Sequence, residues 1–102
     1  VQSSRFKVPR ARFKGWYVEI RGEAKTLEAM LKEMISRGFK GGLVRISHCL
    51  NLEAANTFKQ MILDKFQNCD VRIEPCSALC SFYAEIGGML VGYESLWKYI
   101  QI

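Results

Sequence analysis

Two amphipathic helical segments, each lying between short runs of β-forming residues, constrain the fold of this chain more than any other feature. The first spans residues 23–37, and the second runs from Asn51, a good N-cap, to about Phe66. Their apolar residues recur at helical spacing: Leu27, Met30, Leu31, Met34 and Ile35 in the first, and Ala55, Phe58, Ile62 and Phe66 in the second. The pattern predicts two β-α-β crossovers, which imply parallel strand pairs covered by helices.

The segments around these helices predict the strands of one sheet. Four of them are short and rich in β-forming residues: 12–20, 43–46, 69–73 and 88–93. Residues 3–8 are expected to pair with 12–20 as a hairpin at one edge, and residues 77–86 to form a short helix. The fold class is therefore α/β. We expect a single small layered domain over residues 1–102, with a mixed, mostly parallel sheet in βαβαβ(α)β order and helices packed on it.

The positive charge lies at the start of the chain. The formal net charge is +5, and residues 1–22 hold six basic residues and one acidic residue, whereas residues 23–102 hold nine of each. Four aromatic residues are interleaved with this charge: Phe6, Phe13, Trp16 and Tyr17. Such a segment suits a groove for single-stranded nucleic acid. The favoured interpretation is a solvated edge hairpin that resists aggregation, with the aromatic residues in the core, and the segment would also suit an acidic protein partner.

Cysteine usage indicates a reducing compartment, so a cytoplasmic protein is expected. The four cysteines do not have the spacing of a disulfide framework, and only Cys76 and Cys80 approach the spacing of a zinc site. Inert thiols are the favoured interpretation, with no metal and no cofactor. The sequence has no apolar run long enough to span a membrane and no visible signal peptide.

Adjacent glycines, Gly87 and Gly88, separate the last predicted helix from the last strand. They permit a turn with positive φ and a close approach to the main chain. Ligands of open α/β sheets bind beyond the carboxyl ends of the strands, where His48 and the turn from Tyr83 to Gly88 are expected to lie. The glycine spacing matches no phosphate loop, and Ser47 and His48 point apart, so no catalytic set is predicted. His48 also fits a satisfied edge histidine. We expect a binding protein, not an enzyme.

Three stretches, in this order, resemble the C-terminal domain of the DegV family of bacterial fatty-acid-binding proteins. The first is Val18-Glu-Ile-Arg-Gly-Glu-Ala-Lys-Thr-Leu27, an apolar strand followed by an Arg-Gly pair and a helix start. The second is Leu43-Val-Arg-Ile-Ser-His48, followed by Leu52-Glu-Ala-Ala55 at the start of a helix. The third runs from Cys69 through Tyr93 and is similar to a strand, a helix, a glycine turn and a last strand.

The resemblance implies a long-chain fatty acid as the ligand. It also implies five ligand-binding residues: Tyr83, Gly87, Gly88, Arg21 and His48. In the family's His-Thr-Gly-Pro-Gly turn, Tyr83 stands where the His would be, and only Gly87 matches. A Tyr hydroxyl donates one hydrogen bond but carries no positive charge near neutral pH. Glu85, in the same turn, would repel a carboxylate if it faced the same way.

The resemblance further implies half of a carrier that does no chemistry itself. The acyl chain would lie against an N-terminal domain of the same protein, which this chain lacks, and a fatty acid kinase would phosphorylate the carboxyl group. The expected apolar lining is Met30, Met34, Tyr83, Met89 and Leu90, with plain core packing as the alternative for each. The rival hypothesis is a single-stranded nucleic-acid-binding module that uses residues 1–22.

Overall fold

The computed structural model describes residues 8, 11–14, 17–75 and 86–101, which form five strands and three helices. The strands are β1 (Arg12–Lys14), β2 (Tyr17–Arg21), β3 (Gly42–His48), β4 (Cys69–Pro75) and β5 (Gly88–Tyr93). The helices are α1 (Ala24–Ser36), α2 (Leu52–Lys65) and α3 (Glu94–Gln101). The two long helices and the three strands after residue 40 lie where the sequence predicts them. The predicted helix over 77–86 falls almost wholly outside the described residues, and Ile86 is in a turn.

The strands form one mixed sheet in the order β1-β2-β5-β3-β4. The α/β class is confirmed, but the expectation of a mostly parallel sheet is wrong. Only β3 and β4 pair in parallel within the described part of the chain, and β5 runs antiparallel to both β2 and β3. The reason is the position of the last connection, which leaves the carboxyl end of β4 and enters β5 at that same end. A strand entered from that end must run antiparallel to its neighbours.

A hairpin lies at one edge of the sheet as predicted, but it is formed by β1 and β2, and the predicted pairing of residues 3–8 with 12–20 stays a prediction. Arg12 pairs with Glu19, and Lys14 pairs with Tyr17, so the paired residues of the hairpin lie inside the stretch predicted as one strand. Residues 3–7 lie outside the described residues, and Val8 is buried against the core.

Helices α1 and α2 cover one face of the sheet and bury the main core against it. The core side chains of the sheet alternate along each strand, as a sheet covered on this face requires: Val18, Ile20, Val44, Ile46, Met89, Val91 and Tyr93. Met30, Met34 and Met89 are fully buried in this core, so the alternative of core packing describes them, and not the expected ligand surface. Leu90 packs instead with Cys49 and Tyr17 on the opposite face of the sheet.

The last helix, α3, was not predicted from the sequence. Its Trp97 lies against Gly92 on the second face of the sheet and meets the Tyr17 ring edge-on, with centroids 6.3 Å apart. The Glu94 carboxylate at its start accepts a hydrogen bond from the Leu43 backbone N–H at 3.4 Å. These contacts attach α3 to the sheet. In the part of the chain that is described, no helix has both the length and the apolar character needed to cross a bilayer.

Candidate functional site

One end of the sheet gathers four of the five residues predicted to bind a ligand. β2 and β3 finish at this end and β5 begins there, so that Arg21 pairs with Gly88 and His48 pairs with Met89. Gly87 lies immediately before the strand. Tyr83, the fifth residue, lies outside the described residues, as does Glu85. The sequence could place His48, Gly87 and Gly88 because strand ends define an edge of the sheet, whereas Arg21 was predicted from the family resemblance.

The turn before β5 uses the conformational freedom of glycine at Gly87, whose φ is +91°. The Gly87 N–H donates to the Cys49 carbonyl oxygen at 2.7 Å, and the Cys49 N–H donates to the Gly88 carbonyl oxygen at 3.0 Å. These bonds continue the β3–β5 pairing beyond the strand ends. The turn is therefore held against the loop that joins β3 to α2.

Asn51 lies at the junction of this loop, helix α2 and the glycine turn. Its Oδ1 accepts a hydrogen bond from the Ala54 N–H at 3.3 Å, which confirms the predicted N-cap of α2. Its Nδ2 donates to the Gly87 carbonyl oxygen at 2.8 Å, and its backbone N–H donates to His48 Nδ1 at 3.1 Å. The sequence indicated only the cap. No local pattern signals a bond to a residue 36 positions away.

His48 is 8% exposed and follows Val44 and Ile46 on the helix-covered face of β3. Its Nδ1 accepts the Asn51 N–H, so in the neutral imidazole the proton lies on Nε2. The interpretation of His48 as a satisfied edge histidine therefore holds for one ring nitrogen. Only Nε2 remains as a donor toward a ligand.

Arg21 belongs to the other face of the sheet. Along β2, Val18 and Ile20 point into the core, and strand alternation places Arg21 with Tyr17 and Glu19 on the opposite side. Glu19 is also buried, at 8% exposure, so this side holds a carboxylate and a guanidinium close together in sequence. Arg21 and His48 thus share one end of the sheet while their side chains leave it on opposite faces.

Exposed apolar side chains surround this polar end. Among the described residues, four large apolar side chains are exposed, and three of them lie here: Leu50 at 82%, Leu52 at 53% and Ile86 at 77%. Leu50 and Leu52 flank Asn51, and Ile86 precedes Gly87. Leu50 also has a positive φ of 57°, which is unfavourable for leucine. Sequence reasoning missed this apolar surface, although two leucines around an N-cap are a detectable signal.

The thiols form no metal site in the described ranges, where no group of three metal-ligating side chains comes together. Burial raises the pKa of the half-buried Cys69 thiol, and a backbone hydrogen bond at Gly42 partly opposes that rise. Cys49 is buried in the β3–α2 loop. Cys76 and Cys80 lie outside the described residues, as does most of the basic segment 1–22, so the nucleic-acid hypothesis stays a prediction.

Comparison with known proteins gives one consistent group of relatives. No family model matches the chain. Over 74 residues it is 45% identical to a DegV domain-containing protein of Streptococcus gordonii. This match covers 72% of this chain and 26% of that protein. It is 38% identical over 74 residues to a DegV domain-containing protein of Streptococcus pneumoniae, with the same coverage of both chains.

A solved structure shares this part of the fold. The Streptococcus pneumoniae fatty acid kinase (Fak) B3 protein, loaded with linoleic acid, is 37% identical and has a TM-score of 0.64. The match covers 69% of this chain and 25% of that one. The chain therefore spans about a quarter of the length of the relatives that it matches.

Proposed function

The chain belongs to the DegV family over the 74 residues that it shares with these relatives, and from this premise we propose that it is part of a fatty-acid carrier. The main support for the proposal is found at one end of the sheet, where polar groups lie next to the exposed side chains of Leu50, Leu52 and Ile86. A long-chain fatty acid combines a charged head with an apolar tail and so needs both kinds of surface.

The polar residues supply donors for a carboxylate. His48 keeps Nε2 for a ligand, and the Gly87–Gly88 turn has no side chains to hinder an approach to it. Arg21 carries a guanidinium at the same end of the sheet, on the opposite face. Tyr83 adds a hydroxyl in this proposal. The apolar residues supply the tail contact, which is worth about 0.8 kcal/mol for each CH₂ group buried. Leu50 and Ile86 are exposed enough to provide that burial.

This chain provides one side of the site in the proposal. It corresponds to the C-terminal domain of such a carrier, and an N-terminal domain of the same protein supplies the remaining contacts. The fatty acid kinase is the partner that acts on the carboxyl group, so the domain itself performs no chemistry and needs no cofactor. A cytoplasmic location agrees with the cysteine usage of the sequence.

The experiment is native mass spectrometry of the natural-length gene product, purified without detergent, together with an organic extract of the same sample. We expect a co-purified species with the mass of a long-chain fatty acid that is lost on denaturation. The control is a Leu50→Asn, Ile86→Asn variant, which should carry less of this species because the apolar surface is removed.

Two results would count against the proposal. A protein that is empty as purified and does not take up added linoleic acid is not a fatty-acid carrier. A protein that binds single-stranded RNA, and no fatty acid, would favour the rival hypothesis on residues 1–22.

A further inference from the structure

We propose that Asn51 is the positioning residue of this site. Its backbone N–H and its side-chain amide hold His48 and the Gly87–Gly88 turn in the arrangement that receives a ligand carboxylate. The inference rests on the proposed function for the identity of the ligand. Its geometry rests only on three hydrogen bonds of Asn51.

The Asn51 side chain makes one bond more than helix capping requires. An N-cap needs a side-chain oxygen, which Asp, Ser and Thr provide as well as Asn. Asn51 Oδ1 fulfils this function toward Ala54. Its Nδ2 group, which those other residues lack, donates to the Gly87 carbonyl oxygen at 2.8 Å. The amide is thus the feature of Asn51 that links α2 to the glycine turn.

Gly87 is held from both sides as a result. Its N–H is bonded to Cys49 and its carbonyl oxygen to Asn51. In a planar trans peptide, the carbonyl of one residue and the N–H of the next point in opposite directions. The bond to Asn51 therefore also sets the direction of the Gly88 N–H. Glycine can adopt many backbone conformations, of which the φ of +91° at Gly87 is one. Without the bond to Asn51, the turn would have these other conformations available.

The same residue orients His48. The Asn51 N–H binds Nδ1, which fixes the ring rotation and leaves Nε2–H as the imidazole donor. One residue therefore controls two groups at the end of the sheet, one through its main chain and one through its side chain. This explains why loss of the side-chain amide alone should alter the turn and spare the histidine.

Two variants separate positioning from capping. Asn51→Asp keeps a strong cap with favourable charge at a helix start, and Asn51→Ser keeps a neutral cap. Neither can donate to the Gly87 carbonyl through a side-chain amide. In the natural-length protein, we expect both to keep α2 and to bind linoleic acid about fivefold to tenfold more weakly, the effect of one hydrogen bond. Thr57→Ala, which removes an exposed hydrogen bond to Glu53 within α2, is the matched control and should bind normally.

A second readout needs no ligand. Hydrogen exchange at the Gly87 amide should be faster in both Asn51 variants than in the wild-type protein, while the ¹⁵N shifts of His48 stay unchanged. Weaker binding in Asn51→Asp alone would mean charge repulsion and would overturn the proposal. Normal binding and slow Gly87 exchange in both variants would also overturn it. If the wild-type protein fails to bind linoleic acid while Gly87 exchange still depends on Asn51, the proposed function fails and the positioning of the turn stands.

Discussion

Gly22 and Asn51 lie so close together that a methyl group on Gly22 has no room beside the Asn51 side-chain amide. The added carbon would also lie 2.7 Å from the Gly87 carbonyl oxygen and 3.1 Å from the Ala54 Cβ. The segment after β2, the start of α2 and the turn before β5 therefore meet at a point where only glycine fits. The close packing around Gly22 therefore fixes the three segments relative to one another.

Replacing Gly22 by Ala should disturb both stability and the site. The nearest group is the Asn51 amide, which its bonds to Gly87 and Ala54 hold in place, and the next is the backbone carbonyl of Gly87, so the clash cannot be relieved without disturbing these contacts. We expect a loss of about 1–3 kcal/mol in the free energy of unfolding. The clash also displaces the Asn51 amide, so linoleic acid affinity should fall. Urea denaturation and a ligand titration measure the two effects.

Gly38→Ala is the control for this substitution. Gly38 has φ +97°, and nothing lies within 4 Å of an added Cβ, so its cost is conformational and about 1–2 kcal/mol. It should destabilise the protein to a similar degree and leave affinity unchanged. Equal losses of affinity in the two variants would show that stability, and not the geometry around Asn51, determines binding.

The sequence predicts the parts of this fold that depend on local periodicity. The stripe of α1 apart from the exposed Ile35, the Asn51 cap and the short strands after residue 40 all follow from residue spacing. The direction of β5 could not be predicted, because the short apolar run over 88–93 is buried at every position and carries no signal of strand direction. Nor could the bond from Asn51 to Gly87, which joins residues far apart in the chain. The role of Met30 and Met34 could not be decided from the sequence, because core and ligand-lining stripes of a helix have the same spacing.

Replacing Leu50 should raise the stability of the protein and weaken its binding of linoleic acid. Its φ of 57° costs leucine more than asparagine, which tolerates the left-handed region well. Leu50→Asn should therefore raise the free energy of unfolding by about 1 kcal/mol. It should also weaken linoleic acid binding, because an 82% exposed apolar side chain is lost beside the polar end. Thermal melts and a fatty-acid titration test the pair of effects.

The control removes another exposed apolar side chain at a different place. Ile35 is 39% exposed in α1, and Ile35→Gln should leave affinity unchanged. If Leu50→Asn binds linoleic acid as well as the wild-type protein does, Leu50 does not contact the ligand.

Stability should decrease at alkaline pH for two identifiable reasons. Burial raises the pKa of the Tyr93 hydroxyl far above its usual 10.0; Arg37 opposes this rise and Glu33 adds to it. Burial likewise raises the pKa of Cys69 from 9.0. The folded protein therefore retains these protons at a pH where the unfolded chain has lost them, and stability falls as the pH rises. The contributions are intact below pH 9 for Cys69 and below pH 10 for Tyr93.

Two variants should separate the contributions of Cys69 and Tyr93 to this loss of stability at alkaline pH. Cys69→Ala should remove the loss of stability that begins near pH 9. Tyr93→Phe should remove the loss of stability that begins near pH 10. Denaturant unfolding at a series of pH values measures both. A wild-type protein whose stability is constant from pH 8 to pH 11 would contradict the buried, protonated state of Tyr93.

Salt dependence should distinguish the two hypotheses about function. Burial of an acyl chain depends mainly on apolar area, so linoleic acid affinity should change little between about 50 and 200 mM salt. Single-stranded nucleic acid binding through the six basic residues of segment 1–22 would instead weaken about 300-fold over that range, because released counterions drive it. A Lys7→Ser, Arg10→Ser variant should bind linoleic acid normally and reduce the salt slope of any RNA binding. A steep salt dependence for the fatty acid would mean that charge contacts, and not Leu50, Leu52 and Ile86, dominate its binding.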